Sequence, residues 1–337
     1  MRRVAAAVLV GWGLAASASA APPKIVIAHR GASGYLPEHT LPGIAAAHVM
    51  GADYVEPDVV LSKDGVPVVL HDIHVDSVTD VARRFPDRKR ADGRYYAIDF
   101  TLAELKQLRV TERFDPATGK VVFPGRFPQW TSSFQIPTLE EELQLVQGMN
   151  KTRGKDVGVY PEIKAPAWHR QQGQDISRIV LDLLARNGYA TRAERFYLQC
   201  FDFDETRRIR NELAFKGKLI QLLGENGAES TTDYLRLRTP QGLDEVARVA
   251  DGIGPAINHI VTGPRGGPLR ITDLVKEAHA RGLQVHPYTF RADALPEYAG
   301  SLEELLRIFL VQVGVDGVFT DQADRAVAFV HSLPSEK

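Results

Sequence analysis

Along most of the chain, short apolar runs alternate with segments whose apolar residues recur at helical spacing. The runs have the length of buried strands and are bounded by polar or turn-forming residues. We predict eight strands from them, at Ile25–His29, Tyr54–Val60, Val157–Lys164, Phe196–Phe201, Lys218–Leu223, Gly252–Ile260, Leu283–Phe290 and Asp316–Thr320.

The segments between these runs predict helices, and they include LPGIAAAHVMG, SRIVLDLLARNGY, ETRRIRNELA, LDEVARVA, ITDLVKEAHARG and SLEELLRIFLVQVG. Several close on glycine (Gly188, Gly282, Gly314), which favours the left-handed residue that ends many helices. Eight strands alternating with helices predict a (β/α)8 TIM barrel. A doubly wound open sheet is the main alternative, but HRGASG after the first strand lacks the G-x-G-x-x-G loop of its dinucleotide-binding members.

From Asp72 to Pro137 the alternation stops. The stretch is rich in charges and turn formers, as in FPDRKRADGRYY and FDPATGKVVFPG, and only TLAELKQL is typical of a helix. Connections of this length are rare in compact domains unless they are functional or form a small subdomain. We therefore predict that residues 72–137 are an insertion after the second strand, folded over one face of the barrel.

Residues 1–20 begin with two arginines after the initial Met, continue with the apolar run Val4–Leu14 and end in Ala-Ser-Ala. This order predicts a secretory signal peptide cleaved after Ala20, and a periplasmic or secreted barrel domain over residues 21–337. No cysteine lies near the cut and no other long apolar run follows, so we expect no stable membrane anchor.

Net charge and cysteine content exclude several kinds of binding partner and metal site. The 337-residue chain has a formal charge of −1, which becomes −3 without the leader because the leader holds two arginines and no acid. So mild a charge argues against nucleic acid or an anionic membrane surface as the main partner. Cys200 is the only cysteine in the sequence, which excludes an intramolecular disulfide and a cysteine-based metal cage. The oligomeric state stays open.

The second strand carries the densest group of candidate site residues. Glu56 and Asp58 are two apart, so both carboxylates point to the same side of an extended chain. Pro57 between them removes a ladder donor and suggests that the strand is fraying towards its end. Asp64-Gly65 predicts a hairpin turn that returns His71 to the same rim. A pair of surface acids with a solvated histidine is the alternative, but apolar residues flank the acids.

The third strand repeats this spacing with Glu162 and Lys164, for which a structural salt bridge is the alternative. Three carboxylates at the ends of consecutive strands suit Ca²⁺ or Mg²⁺ better than zinc. His29 and Arg30 leave the first strand beside them, at the carboxyl ends where barrel active sites lie. Acids, imidazoles and cations together suit phosphoryl transfer better than glycoside hydrolysis, which uses no cationic cluster.

The segments HRGASGYLPEHT, EPDVVLSKDGVPVVLHD, HDIHVDSVTDVARRFPDR, PEIKAP and HPYTFR resemble the signature segments of bacterial glycerophosphodiester phosphodiesterases of the periplasmic kind. They occur in the expected order over nearly the whole chain after the leader. The resemblance implies a (β/α)8 barrel with an inserted subdomain. It also implies a Ca²⁺-dependent enzyme, with Mg²⁺ as the alternative ion. Its small-molecule glycerophosphodiester substrates would be hydrolysed to sn-glycerol 3-phosphate and an alcohol.

The resemblance also implies roles for seven residues: acid–base catalysis for His29 and His71, metal binding for Glu56, Asp58 and Glu162, and phosphate binding for Arg30 and Lys164. Tyr288 and Phe290, two apart on the seventh strand, are candidates to line the glycerol pocket, with barrel packing as the alternative. Two departures from the family pattern are Cys200, where serine is more usual, and FTDQ after the last strand. Neither falls on the seven residues.

Weaker candidates surround these residues. Gln199 either faces the site or bonds a neighbouring strand. His39 and His74 are expected behind the site residues or at the surface. Glu38 is expected to stabilise the loop before the first helix, and Cys200 to be buried and inert.

Three other functions would use part of this set. A lipid phosphodiesterase of the phospholipase D or sphingomyelinase kind would share the barrel, but the insertion would hinder a bilayer-bound substrate. An exported phosphodiester-binding protein would not need both histidines. A glycosidase using Glu56 and Glu162 would leave Arg30 and Lys164 without a role.

Overall fold

The computed structural model describes residues 23–190, 195–227 and 231–334, so the predicted signal peptide lies outside the described residues. The strands are β1 Ile25–His29, β2 Tyr54–Glu56, β3 Asp58–Leu61, β4 Pro67–Val69, β5 Gly158–Val159, β6 Glu162–Ile163, β7 Tyr197–Cys200, β8 Lys218–Leu223, β9 Gly252–Pro255, β10 Val261–Thr262, β11 Arg270–Ile271, β12 Gln284–Val285 and β13 Gly317–Thr320. The α-helices are α1 Leu41–Met50, α2 Val81–Arg84, α3 Leu102–Leu105, α4 Leu139–Arg153, α5 Pro166–Gln171, α6 Ile176–Arg186, α7 Phe203–Asn211, α8 Tyr234–Leu237, α9 Pro240–Ala247, α10 Leu274–His279, α11 Leu302–Arg307 and α12 Ala323–Ser332.

Within the described residues, eight parallel strands form a closed ring, in which β2 with β3 and β5 with β6 each make one interrupted strand. Parallel pairing runs from β13 through β1, β2–β3, β5–β6, β7, β8 and β9 to β12. The ring closes between β12 and β13, where the Asp316 N–H donates to the Val285 carbonyl (3.0 Å) and the Phe319 N–H to the Pro287 carbonyl (3.1 Å). The predicted (β/α)8 barrel is confirmed.

Prolines interrupt the second and third strands, which the sequence predicts as continuous. Pro57 separates β2 from β3, and Pro161 lies between β5 and β6, because proline has no N–H to give to the ladder. The carbonyls of both prolines still accept, from the N–H groups of Glu162 (2.8 Å) and Gln199 (3.0 Å). The second strand therefore continues past Pro57 to Leu61, one residue beyond its predicted end at Val60.

The sixth and seventh strands are shorter than predicted. β9 ends at Pro255 and is followed by a 3₁₀ helix, Ile257–His259, while regular pairing of the seventh strand is limited to β12. Beyond these ends the strands meet only through isolated bridges such as that between Ala256 and Tyr288. At this rim the backbone leaves the ladder and becomes the wall of the cavity described below.

The six predicted helical segments are found as α1, α6, α7, α9, α10 and α11, the last continued by a π-helical stretch, Ile308–Val313. The helix α4 is not among those predicted. It begins with a capping box in which the Thr138 hydroxyl accepts from the Glu141 N–H (3.1 Å) and the Glu141 carboxylate accepts from the Thr138 N–H (2.7 Å). It ends at Gly154, which is left-handed with φ +59°.

Apolar side chains fill the ring and the layer between ring and helices. Inside the ring the packed side chains are Ile27, Tyr54, Tyr160, Tyr197, Ile220 and Phe319. The larger core between the ring and the helices includes Ile44, Leu143 and Leu198. None of the described helices has the length and apolarity needed to span a membrane.

The segment between β4 and α4 has a hydrophobic core of its own, which it shares with the hairpin β3–β4. Its buried members are Val60, Val68, Leu70, Val75, Val78, Val81, Tyr95, Ala97, Phe100, Leu105, Leu108, Val110 and Ile136. The predicted helix TLAELKQL is found as the shorter α3, and α2 is a second short helix that the sequence did not indicate. The shared core attaches this segment firmly to the second barrel strand.

Candidate active site

A cavity of about 350 Å³ opens at the carboxyl ends of the barrel strands. The predicted site residues that line it are His29, Arg30, Glu56, Asp58, His71, Glu162 and Tyr288. The hairpin between β3 and β4 brings in the second histidine as expected. Gly65 adopts φ +76° in its turn, and the Leu70 N–H donates to the Asp58 carbonyl (2.9 Å), so that His71 follows beside Asp58.

Glu56, Asp58 and Glu162 form an acidic triad. Asp58 pairs directly with Glu162 across β3 and β6, and ligand oxygens of all three carboxylates lie within 4.8 Å of one another. The three residues are 1–5% exposed. Two-residue spacing on one strand and direct pairing with the next therefore bring three carboxylates to one point.

Burial and mutual repulsion act on the ionisation of the triad. Burial and then the charges of Asp58 and Glu162 raise the pKa of Glu56 well above its usual value. Burial also raises the pKa of Glu162 to about 8. Burial alone would raise the pKa of Asp58, but Lys164 and the His39 hydrogen bond outweigh it and hold this pKa well below its usual value. A cation among the three would favour their charged forms.

The donor set fits a divalent cation. Among the described residues, Asp58 Oδ1 and Gln199 Oε1 are buried without a hydrogen-bond partner. Gln199 pairs with Glu162 across β6 and β7 and lines the cavity, and its Nε2 donates to Glu56 Oε1 (3.4 Å). Buried oxygens left without a partner are costly, and carboxylate and amide oxygens are the ligands that hard cations take.

Each cavity histidine is paired with a carboxylate through Nδ1. The distance from His29 Nδ1 to Asp321 Oδ1 is 2.6 Å, and that from His71 Nδ1 to Asp72 Oδ1 is also 2.6 Å. Burial lowers the pKa of His29 to about 4 and that of His71 to about 3, so both rings are neutral at neutral pH. Because a carboxylate accepts at Nδ1–H, the lone pair of each ring lies on Nε2.

Arg30 supplies positive charge at the cavity wall. It adopts φ +57°, and in this conformation its backbone N–H donates to Glu56 Oε2 (2.7 Å). Its guanidinium Nη1 donates to Glu38 Oε2 (3.0 Å), and its Nε lies 3.5 Å from Asp58 Oδ2. The residue after the first strand thus holds the Glu56 carboxylate with its backbone N–H and places its own guanidinium beside the acidic triad.

Lys164 lies behind the triad, not on the wall of the first cavity. Its Nζ is 2.6 Å from Glu162 Oε1 and 3.6 Å from Asp58 Oδ1. It lines an adjoining cavity of about 870 Å³, which shares Glu162 and Tyr288 with the first. Tyr288, whose hydroxyl donates to the Leu223 carbonyl (3.0 Å), lines both cavities.

Phe290 lies elsewhere. It is fully buried in the core between the ring and the helices, and its ring centroid is 5.0 Å from that of Phe309. The structure thus corrects the prediction that Phe290 lines the substrate pocket, and barrel packing is the right alternative. The prediction relied on two-residue alternation with Tyr288, which requires a regular strand, but regular pairing ends at β12.

The sequence profile of the glycerophosphoryl diester phosphodiesterase family matches residues 29–325. A glycerophosphodiester phosphodiesterase of Haemophilus influenzae is 44% identical over 329 residues, covering 92% of this chain and 90% of that protein. The chain belongs to the glycerophosphoryl diester phosphodiesterase family. A glycerophosphodiester phosphodiesterase of Treponema pallidum is 38% identical over 342 residues, covering 95% of this chain and 96% of its own.

Solved structures share the fold of this phosphodiesterase family member. A putative glycerophosphoryl diester phosphodiesterase from Silicibacter pomeroyi superposes with a TM-score of 0.66 at 24% identity, covering 92% of this chain and 94% of its own. An Oleispira antarctica phosphodiesterase, in complex with the product sn-glycerol-3-phosphate, gives a TM-score of 0.61 at 21% identity, covering 92% and 98%. At this identity they bear on the fold alone.

Other residues of this phosphodiesterase family member reach the site without having been predicted. Asp72 and Asp321 are the partners of the two histidines, and Arg113 and Arg126 reach these carboxylates from the segment between β4 and α4. The stretch FTDQ holds none of the seven predicted site residues, yet its Asp321 contacts His29. Two signals were available, since Asp72 follows a site histidine and Asp321 follows the last strand at the carboxyl end. The two arginines carry no comparable signal.

The weaker candidates take various places. His39 is buried with its Nε2 2.7 Å from Asp58 Oδ2, and so stands directly behind a triad acid. Glu38 holds the Arg30 guanidinium. His74 lines the adjoining cavity. Cys200 is fully buried, as expected, and burial raises the pKa of its thiol.

Proposed function

We propose that this chain is a glycerophosphodiester phosphodiesterase that releases sn-glycerol 3-phosphate and an alcohol with the help of a divalent cation. The observation that carries the proposal is the convergence of an acidic triad, two carboxylate-paired histidines and Arg30 on one cavity of about 350 Å³. Membership of the family, with relatives of this name matched over nine-tenths of their length, supports it.

Glu56, Asp58 and Glu162 would hold the cation, with Gln199 as a further oxygen donor. When bound, the ion supplies positive charge that polarises a phosphate oxygen and offsets charge developing on it. We take Ca²⁺ as the ion, with Mg²⁺ as the alternative, because all the donors are oxygens and Ca²⁺ tolerates irregular coordination.

The two histidines would divide the proton transfers between them. Nε2 of one accepts the proton of the attacking hydroxyl as its oxygen bonds to phosphorus. As the bond from phosphorus to the alcohol oxygen breaks, Nε2 of the other gives that oxygen a proton. Both rings are neutral in the free protein, and an anionic diester beside one of them favours its protonated form.

Two nucleophiles fit this arrangement. The neighbouring glycerol hydroxyl would give a cyclic phosphate that water then opens, whereas water itself would give the product directly. Trapping the cyclic ester in a quenched reaction distinguishes the two routes.

The walls of the cavity suit a phosphodiester with a glycerol arm. Arg30 offers its guanidinium to the phosphate, and Lys164 adds positive charge behind the triad. Tyr288 lines both cavities, where it can contact the glycerol carbons. The adjoining cavity leaves the choice of head group open, and choline, ethanolamine, glycerol and inositol are all candidates.

Residues 1–20 have the order of a signal peptide, and from this order we include periplasmic or secreted localisation, after cleavage at Ala20, in the proposal. N-terminal sequencing of the protein recovered from the extracytoplasmic fraction tests it. A start at Ala21 is expected, and an uncleaved, cytoplasmic product would contradict it.

The decisive assay is release of sn-glycerol 3-phosphate from glycerophosphocholine, measured after chelation and again after Ca²⁺ or Mg²⁺ is restored. Turnover that disappears with the chelator and returns with Ca²⁺ supports the proposal. Product formation that is unaffected by thorough chelation would refute the metal site, and no product from any glycerophosphodiester would refute the function.

A further inference from the structure

The insertion sends one segment, Arg113–Arg126, across the rim of the cavity, and we call this segment the strap. Its first half is a small antiparallel turn, in which the Asp115 N–H donates to the Lys120 carbonyl (2.9 Å) and the Val122 N–H to the Arg113 carbonyl (3.0 Å). A small cavity of about 240 Å³ lies beneath the strap and is lined by its two terminal arginines and by both site histidines.

Arg113, at the start of the strap, reaches the partner of the second histidine. Its Nη1 donates to Asp72 Oδ2 (2.6 Å), while Asp72 Oδ1 accepts from His71 Nδ1 (2.6 Å). Its Nε and Nη2 donate to the two oxygens of Glu38 (3.0 and 2.6 Å). Because Glu38 also binds Arg30, Arg113 is connected to the proposed phosphate-binding cation as well.

Arg126, at the other end, reaches the partner of the first histidine. Its Nη2 donates to Asp321 Oδ2 (2.7 Å), while Asp321 Oδ1 accepts from His29 Nδ1 (2.6 Å). A bidentate pair with Asp293 (2.8 and 3.0 Å) fixes the same guanidinium from the barrel side. Phe123 of the strap covers it, with its ring centroid 3.7 Å from the guanidinium carbon.

The two ends of the strap thus repeat one arrangement. Each histidine partner uses one carboxylate oxygen for the imidazole and the other for a strap arginine. This second oxygen also accepts from the Ser77 hydroxyl in Asp72 (3.1 Å) and from Arg291 Nε in Asp321 (2.8 Å). A carboxylate held at both oxygens cannot turn away from the ring, and so the ring keeps its tautomer and its direction. The arginine side chains are 17% and 5% exposed, which is unusual burial for tethers between two surfaces.

We infer that Arg113 and Arg126 are positioning residues, which hold His71 and His29 through Asp72 and Asp321 and make the insertion a working part of the active site. The inference rests on the proposed function, because it assigns work to histidines whose role belongs to that proposal. A positioning residue and a structural tether have different effects when they are removed. Loss of a tether lowers stability, whereas loss of a positioning residue lowers the rate of one proton transfer.

Arg94 offers a matched control. It lies in the same insertion and forms a bidentate pair with Asp76 (2.7 and 2.8 Å), but neither residue touches a site histidine or its partner. Arg94→Met therefore removes an insertion ion pair of the same geometry. A fall in kcat that is larger in a strap variant than in Arg94→Met is therefore due to the contact between the strap arginine and the site.

The test compares Arg113→Met, Arg126→Met and Arg94→Met on two substrates. Glycerophosphocholine needs a proton on its leaving alcohol, whereas the p-nitrophenyl ester of glycerol 3-phosphate releases an acidic phenol that leaves as the anion. Both strap variants should lower kcat on glycerophosphocholine by about 10- to 100-fold, and Arg94→Met should leave it unchanged. One strap variant, the one acting on the acid, should recover most of its rate on the nitrophenyl ester.

The KM values separate the two strap residues further. Arg126→Met should leave KM unchanged, while Arg113→Met should raise it, because Glu38 is shared with Arg30. Circular dichroism and urea unfolding show whether each Met variant is folded. If one is not, Arg113→Lys or Arg126→Lys replaces it, because lysine keeps the positive charge but lacks the forked guanidinium that spans two carboxylates.

If the wild-type protein turns over neither substrate, the proposed function fails. With an active wild type, the inference is overturned by equal losses on both substrates in both strap variants. It is also overturned by an equal loss in Arg94→Met, or by a rise in KM without a fall in kcat in Arg126→Met.

Discussion

The pairing of each imidazole with a carboxylate decides what the two cavity histidines can do. Burial alone would raise the pKa of Asp321, but the His29 ring and the Arg291 guanidinium help to outweigh it, and this pKa lies below its usual range. A charged carboxylate keeps the proton of the ring on Nδ1. Nε2, where no partner is found among the described residues, is then the atom that exchanges protons with a ligand.

We predict that His29→Ala and His71→Ala each lower kcat for glycerophosphocholine by about 10²–10⁴-fold, the usual contribution of a positioned acid or base. The exposed His331 at the end of α12 provides the control, and His331→Ala should keep full activity. Measured rates and unfolding curves for all three decide the matter. Normal turnover in either cavity variant would remove that histidine from the mechanism.

Two buried histidines that do not line the cavity should make the fold sensitive to acid. Burial lowers the pKa of His286 and of His169 to about 4 each, against about 6.5 in the unfolded chain. Between these pH values the unfolded state binds more protons, so stability should fall as pH falls from about 6.5 to 4, by up to about 3 kcal/mol for each ring.

Urea unfolding across this pH range tests the prediction. His286→Gln should flatten the loss of stability relative to wild type, because a neutral amide takes up no proton. His331→Gln, at an exposed position, should follow the wild-type curve. Identical slopes for His286→Gln and wild type would show that this ring is not the source.

Among the individual site residues, the sequence predicts only those that lie at the ends of strands. Glu56, Asp58 and Glu162 were identifiable because strand alternation and neighbouring strands determine where they meet. Arg113 and Arg126 were not identifiable, because their positions depend on how the loop-rich segment between β4 and α4 folds. No periodic pattern in the sequence predicts that fold. Phe290 does not follow strand alternation with Tyr288, because the regular strand β12 ends before both residues.

Among the elements, the turn between β1 and α1 is tightly constrained by its backbone. Gly31 adopts φ +81°, and a Cβ added there would lie 3.0 Å from the Gly43 backbone carbon. The turn lets Arg30 direct its N–H to Glu56. Backbone contact with the first turn of α1 therefore maintains the direction in which the first strand presents its polar residues.

We expect Gly31→Ala to be more damaging than Gly93→Ala, although both glycines have nearly the same φ (+81° and +82°). No atom lies within 4 Å of a Cβ at Gly93, so that variant reports left-handed strain alone, about 1–2 kcal/mol. Gly31→Ala adds a backbone contact and should also lower kcat. Thermal unfolding and rates are the measurements, and equal losses for the two variants would contradict the argument.

The order and kind of the elements were largely predictable, but their interruptions were not. The sequence predicts one strand over Tyr54–Val60, and the structure divides it at Pro57 into β2 and β3. The carbonyl of a proline still serves the neighbouring strand, and so a ring can tolerate one missing N–H. The helix α4 lies outside the predicted helices, although Thr138 and Glu141 form a capping box whose residue types are visible in the sequence.

For the molecule as a whole, the acidic triad should couple metal binding to stability. An ion that binds only the folded chain adds about 2.7 kcal/mol at 100 times its Kd, and so Ca²⁺ should raise Tm by several degrees and a chelator should reverse the rise. Glu162→Gln should abolish the shift, whereas Glu140→Gln, at an exposed position on α4, should retain it. Calorimetry that shows no Ca²⁺-dependent shift in wild type would contradict the proposed site.

The pair formed by His29 and Asp321 joins residues 292 positions apart, on or just after the first and last strands of the ring. A nascent chain has made almost all of the protein before this partner emerges, and contacts between such distant segments form slowly. Translation thus delivers the first histidine early and its partner late. We expect a chain truncated before β13 to lack the carboxylate that pairs with His29, and so to be inactive.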